Sequence, residues 1–153
     1  MIKILKLTIS IYLASICFTV ALSKENFFKE ALKMYQDKKY DDARFMFERN
    51  IVYNPKDAIS YLYLAKIYNH EQDQRKEKYN LETALLIEPD NEEAMLMLIK
   101  IALEKSDYSK VKGLSQTFLK VCKELCDENN EIQESLKNIE SKNLFNEIFT
   151  HND

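Results

Sequence analysis

The chain has 153 residues and a net charge of −3, from 22 Lys and Arg against 25 Asp and Glu. Charges of both signs are interspersed along it, which argues against a nucleic-acid partner, since phosphates select a basic face. One Gly and two Pro in the whole chain favour an all-helical protein, and a single Gly rules out a glycine-rich phosphate loop or a G-x-S-x-G nucleophile turn.

Within residues 1–23 the only charges are Lys3 and Lys6. A largely apolar run follows them, and Ala21-Leu22-Ser23 has the A-x-S form of a cleavage site. This predicts a secretory signal peptide cut before Lys24, and hence a periplasmic or secreted protein. The run is shorter than the roughly 20 residues needed to cross a bilayer, so no stable span is expected after cleavage. An uncleaved N-terminal anchor is the competing reading. Cys17 follows the bulky Ile16, which disfavours acylation there. About 130 residues remain, enough for one domain with its own core.

Pro55 and Pro89 stand 34 residues apart and close two units, 24–57 and 58–91. In the second unit Tyr61, Leu64, Ala65 and Tyr68 recur at helical spacing, and Ala84, Leu85, Ile87 and Pro89 end it. In the first, Phe27, Ala31 and Met34 take the places of Tyr61, Ala65 and Tyr68. A turn over 37–43, then Phe47 and Pro55, complete it. A third unit, 92–125, keeps Leu98 and the turn Ser106-Asp107-Tyr108 but has Lys123 where the proline should stand. Small residues such as Ala31, Ala43, Ala65 and Ala84 let helix backbones approach, and an aromatic fills the groove beside them. Proline ends a unit because it cannot continue a helix.

Over about 100 residues this pattern resembles the tetratricopeptide repeat, whose period is 34 residues. The chain departs from the family pattern at Glu30, Glu77, Leu81 and Lys123. The resemblance implies an all-α solenoid of antiparallel helix pairs that acts as a non-enzymatic scaffold for a protein or peptide partner. In this family the first helix of each unit lines the concave face. That register places Phe28, Leu32 and Tyr35, then Leu62, Lys66 and Asn69, then Leu96, Lys100 and Leu103 in the groove. An apolar surface with two lysines suits an amphipathic helix or an extended peptide. Some members grip chaperone C-termini with a lysine–asparagine clamp. Phe28, Leu32, Tyr63, Glu93 and Met97 stand at the matching positions here, so that clamp is not expected.

Cys122 and Cys126 are spaced i, i+4. On a regular helix their sulfurs would be poorly directed for a short bridge, whereas a helix ending near Leu125 would permit one. Three readings stay open: a disulfide, favoured by an oxidising compartment; free thiols; and metal, which would need more ligands than the distant His70 and His151 provide. His70 reads as a surface turn residue, and no cofactor, metal or catalytic group is expected.

A polar turn over 127–130 precedes a predicted helix over 131–149. Ile132, Leu136 and Ile139 form one stripe, suited to capping the solenoid. Leu144, Phe145, Ile148 and Phe149 point to another side. Either the helix breaks near Ser141-Lys142-Asn143 or both of its faces are covered. Self-association through this second cluster, as a structural subunit of an envelope complex, is the alternative function.

Overall fold

A computed structural model describes residues 27–150, with side chains to residue 139. The predicted signal segment, Cys17, His151 and the side chains of Leu144, Phe145, Ile148 and Phe149 lie outside the described residues. The described residues form seven helices: α1 (27–36), α2 (Tyr40–Tyr53), α3 (Ala58–His70), α4 (Gln74–Ile87), α5 (Glu92–Glu104), α6 (Tyr108–Val121) and α7 (Glu128–Thr150). Three antiparallel pairs stack in order, and α7 closes the end against α6.

The turn inside each pair has one geometry. Lys38, Gln72 and Ser106, one per unit, all have positive φ, at 58°, 61° and 55°. The following amide reaches back five residues each time: Lys39 to Met34, Asp73 to Tyr68 and Asp107 to Ala102, all at 2.9 Å. This is the Schellman arrangement, which satisfies the last carbonyls of the first helix and normally carries Gly at the left-handed site. A side chain there costs about 1–2 kcal/mol. Gln72→Gly is therefore expected to raise the melting temperature, for a gain of up to about 1 kcal/mol once the added freedom of the unfolded chain is counted. A lower melting temperature would contradict it. Beyond this turn, the Asp73 and Asp107 carboxylates accept the Lys76 and Lys110 amides and cap α4 and α6.

Three apolar clusters hold the units together, each spanning a boundary. Ala31, Ala43 and Phe47 meet Leu64, Ile67 and Tyr68 between units one and two. Leu62, Ala65, Leu81 and Ala84 meet Ala94, Leu98 and Ile101 between units two and three. Met95, Leu96, Ile99, Val111 and Phe118 meet Ile132 and Leu136 of α7. The four alanines read as close-approach positions are all fully buried. At the first boundary the buried Asn50 and Ser60 share the Asp57 carboxylate, at 2.6 and 2.7 Å. The equivalent residues one unit later, Ala84 and Ala94, leave that corner apolar.

The C-terminal end differs from expectation at two points and takes one of the two open alternatives at a third. First, α6 stops at Val121 rather than near Leu125, with Cys122 in extended geometry (φ −62°, ψ 143°). The chain then turns, and Cys122 and Cys126 are joined in a disulfide with Cα atoms 5.3 Å apart. Second, α7 starts at Glu128, inside the stretch expected to be a polar turn. Asn129 is fully buried there and accepts from the Ser115 hydroxyl, to which Gln133 donates at 2.5 Å. Third, the α7 backbone runs unbroken through Ser141-Lys142-Asn143. Its first stripe is the cap.

Lys123 also gains a physical reason. The amides of Lys123, Glu124 and Leu125 converge on the Glu92 carboxylate at the start of α5, with Lys123 and Leu125 donating at 2.8 Å. A proline at 123 would have no N–H to give. These donors, Leu125 first, hold the Glu92 carboxyl below its usual range.

Candidate concave binding face

The first helices α1, α3 and α5 present one continuous face. At its N-terminal end the rings gather around Tyr63. Tyr35 meets Tyr63 edge-on at 4.9 Å, Phe28 lies 6.5 Å away, and Phe47 stacks beneath at 5.2 Å. Lys66 Nζ sits 4.8 Å over the Tyr63 ring and pairs with Glu93 of α5 at 2.8 Å. Burial, and then the neighbouring Tyr40, Tyr63 and Glu93, push the Tyr35 hydroxyl pKa up, so it stays a neutral hydrogen-bonding group.

Towards the C-terminal end the face opens into two adjoining hollows that share Glu93 and Leu125. One, of about 400 Å³, has Leu62 at its floor, with Glu88, Asp90 and Glu124 among its walls. The other, of about 360 Å³, is lined by Leu96, Met97, Lys100 and Glu128. The lining is therefore apolar at the base and mainly acidic at the rim, with Lys100 as an exposed cation.

The nine residues assigned from the sequence fall into three groups. Phe28 and Tyr35 join the aromatic cluster, and Leu32 is half-buried beside them on α1. Leu62, Lys66, Leu96 and Lys100 come together around Glu93, though Leu62 and Leu96 are buried and show only an edge. Asn69 and Leu103 are engaged in other contacts, although Asn69 is exposed. Asn69 donates to the buried Glu77 at 3.0 Å, and Leu103 packs on the cluster beneath the cap. The sequence reading missed Tyr63, Glu93 and Met97 as groove residues, although they occupy the positions used to exclude the clamp.

Glu77 stands where unit one has the fully buried Ala43 and unit three the fully buried Val111. Burial raises its carboxyl pKa, despite the bond from Asn69 that lowers it, and Glu104 adds to the rise. The fold therefore favours the protonated acid. That stability is complete below the unfolded pKa and is lost as pH rises through the raised folded value. Glu77→Gln keeps an acceptor for Asn69 without the charge. It is expected to stabilise the protein at neutral pH by on the order of 1 kcal/mol and to flatten the decline from mildly acid to neutral pH. Urea melts at several pH values check this; lower stability of the variant at pH 7 would contradict it.

Among the described residues no group of His, Cys, Asp and Glu could hold a metal ion, and no helix is long and apolar enough to cross a membrane. No protein-family model matches the sequence, and no curated protein matches it. Solved structures do match. The type III secretion chaperone SycD of Yersinia enterocolitica, in complex with a peptide of the translocator YopD, is similar with a TM-score of 0.67 at 15% identity, over 78% of this chain and 93% of that one. The TPR2B domain of yeast Sti1, in complex with pHsp70, gives 0.66 at 12% identity over 76% and 98%. The Sgt2 TPR domain of Aspergillus fumigatus gives 0.64 at 16% identity over 79% and 82%. At these identities the likeness is one of fold. The described residues form an all-α, tetratricopeptide-repeat-like solenoid of three helix pairs with a C-terminal capping helix.

Proposed function

We propose that the protein is a non-enzymatic scaffold that holds a peptide or helix of a partner protein on its concave face, outside the cytoplasm. The observation that carries this is the continuous face itself. Tyr63 and its ring partners form an aromatic platform at one end, and two hollows with apolar floors and charged rims lie at the other. Apolar pockets give such a surface its affinity, and the rim charges fix register. SycD and Sti1, which share the fold, are seen with a YopD peptide and with pHsp70. Export is supported by the charge and cleavage pattern of residues 1–23 and by the Cys122–Cys126 disulfide, since such bonds persist in oxidising compartments.

The test is selection of peptides from a random display library on the immobilised protein, followed by NMR titration. Binding is expected to shift Tyr63, Met97 and Lys100. Lys100→Glu, a change at an exposed position, is expected to weaken binding by about tenfold or more with helicity unchanged. Selected peptides that shift only the opposite surface, or binding indifferent to Lys100→Glu, would overturn the assignment.

A further inference from the structure

The second helices α2 and α4 carry exposed apolar side chains at matching repeat positions. Phe45 and Tyr79, 34 residues apart, are 62% and 68% exposed. Val52 and Leu86, also 34 apart, are 77% and 83% exposed. Residues i and i+7 share a helix face, so each helix bears one outward stripe. Most exposed hydrophobic residues in a soluble protein are scattered singly. Here the same two positions repeat on two helices, and the repetition stops at unit three, where Gly113 and Lys120 replace them. Gly113 is not there for want of room, because a Cβ added at that site meets nothing within 4 Å.

The ends of the two stripes carry opposite charges. One turn before Phe45 stands Asp41, which pairs with Arg44 at 2.8 Å while its side chain stays 88% exposed; one turn before Tyr79 stands the exposed Arg75. The neighbouring pair Asp42 and Lys76 reverses in the same sense. At these positions near the helix starts the 34-residue repeat keeps the place and inverts the sign, whereas Glu48 and Glu82, between the apolar residues, are both acidic.

We propose that this convex face is where a second copy of the chain docks, with α2 of each copy lying on α4 of the other. A twofold axis parallel to the helices brings both stripes together at once, so every contact occurs twice. Phe45 then meets Tyr79 of the other copy and Val52 meets Leu86. At the N-terminal end Asp41 faces Arg75. Four large apolar side chains per copy fall short of the roughly 800 Å² per partner of a stable complex, so the expected dimer is a micromolar one. It leaves the concave face open and would present two peptide grooves on opposite sides, which raises avidity for a repeated partner.

Sedimentation equilibrium of the full chain, at concentrations up to about 100 µM, tests this. Wild type is expected to dimerise. Asp41→Arg and Arg75→Asp are each expected to raise the dissociation constant about tenfold or more, because each places like charges together twice. The double variant carrying both changes is expected to dimerise again, since the pair is swapped rather than lost. An antiparallel arrangement, α2 on α2 and α4 on α4, would instead keep positions 41 and 75 apart, and would not recover. Phe45→Glu with Leu86→Glu is expected to abolish the dimer with helicity intact. A monomeric wild type, failure of the double variant to recover, or a dimer lost only on deleting residues 140–153 would each overturn the proposal.

Discussion

Phe47→Ala is expected to cost about 3–5 kcal/mol, the range for emptying a buried phenylalanine site. Phe47 is fully buried, stacked on Tyr63 at an interplanar angle of 8° and met edge-on by Phe28 at 5.9 Å. The site cannot collapse easily, because Ala31 and Ala43 beside it already bring the helix backbones close. A domain of this size has about 5–15 kcal/mol in total, so the change removes a large fraction. In a solenoid each unit contacts only its neighbours, so the damage should stay local. Hydrogen exchange is expected to show α1 and α2 losing protection while α5 and α6 keep most of theirs. Phe45→Ala, two residues away on the exposed face, is expected to change monomer stability by less than about 0.5 kcal/mol. Equal losses at the two positions, or a uniform loss along the chain, would contradict this account.

What could be read from the sequence was whatever repeats with a fixed physical role. The alanines at 31, 43, 65 and 84 are confined by backbone approach, and Pro55 and Pro89 by the break between units. These constraints act on one residue at a time and leave a periodic trace. The features that escaped depend on contacts between residues distant in sequence. Tyr63 falls at a position occupied by Lys29 and Met97 in the other units, so nothing recurrent marks it as the centre of the aromatic cluster. Glu92 resembles any helix-start carboxylate until the amides of 123–125 converge on it. Asn129 reads as a turn residue, and only the fold reveals a buried partner in Ser115. The left-handed sites at Lys38, Gln72 and Ser106 escaped because none carries the glycine that announces such a turn. Groove register assigned Leu62 on α3 and Leu96 on α5 to the face, but the helix face turns both side chains largely into the seams between units.

The same local logic makes the cap the second point of high leverage. Ile132 and Leu136 lie one turn apart on α7 and are its buried contribution to the last cluster. They cover Met95, Leu96, Ile99 and Phe118, which no fourth repeat is present to cover within the described residues. Ile132→Ala with Leu136→Ala is expected to cost more than about 3 kcal/mol, less than the sum of the two single changes, because neighbours share one cavity. The polar contacts of the cap do not make up the loss. The Ser115–Asn129–Gln133 network lies on the same interface and loses its shielding when α7 lifts. The disulfide keeps residues 122 and 126 joined but does not press α7 onto α6. The expected result is therefore a chain whose first two units melt as in wild type while α5 to α7 exchange early and bind a hydrophobic dye. Such exposure also opens the wall of the hollow at Leu96, so peptide binding there should weaken together with the cap. A double variant that keeps full protection of α6, or one that loses the first unit as readily as the last, would contradict nearest-neighbour coupling in this solenoid.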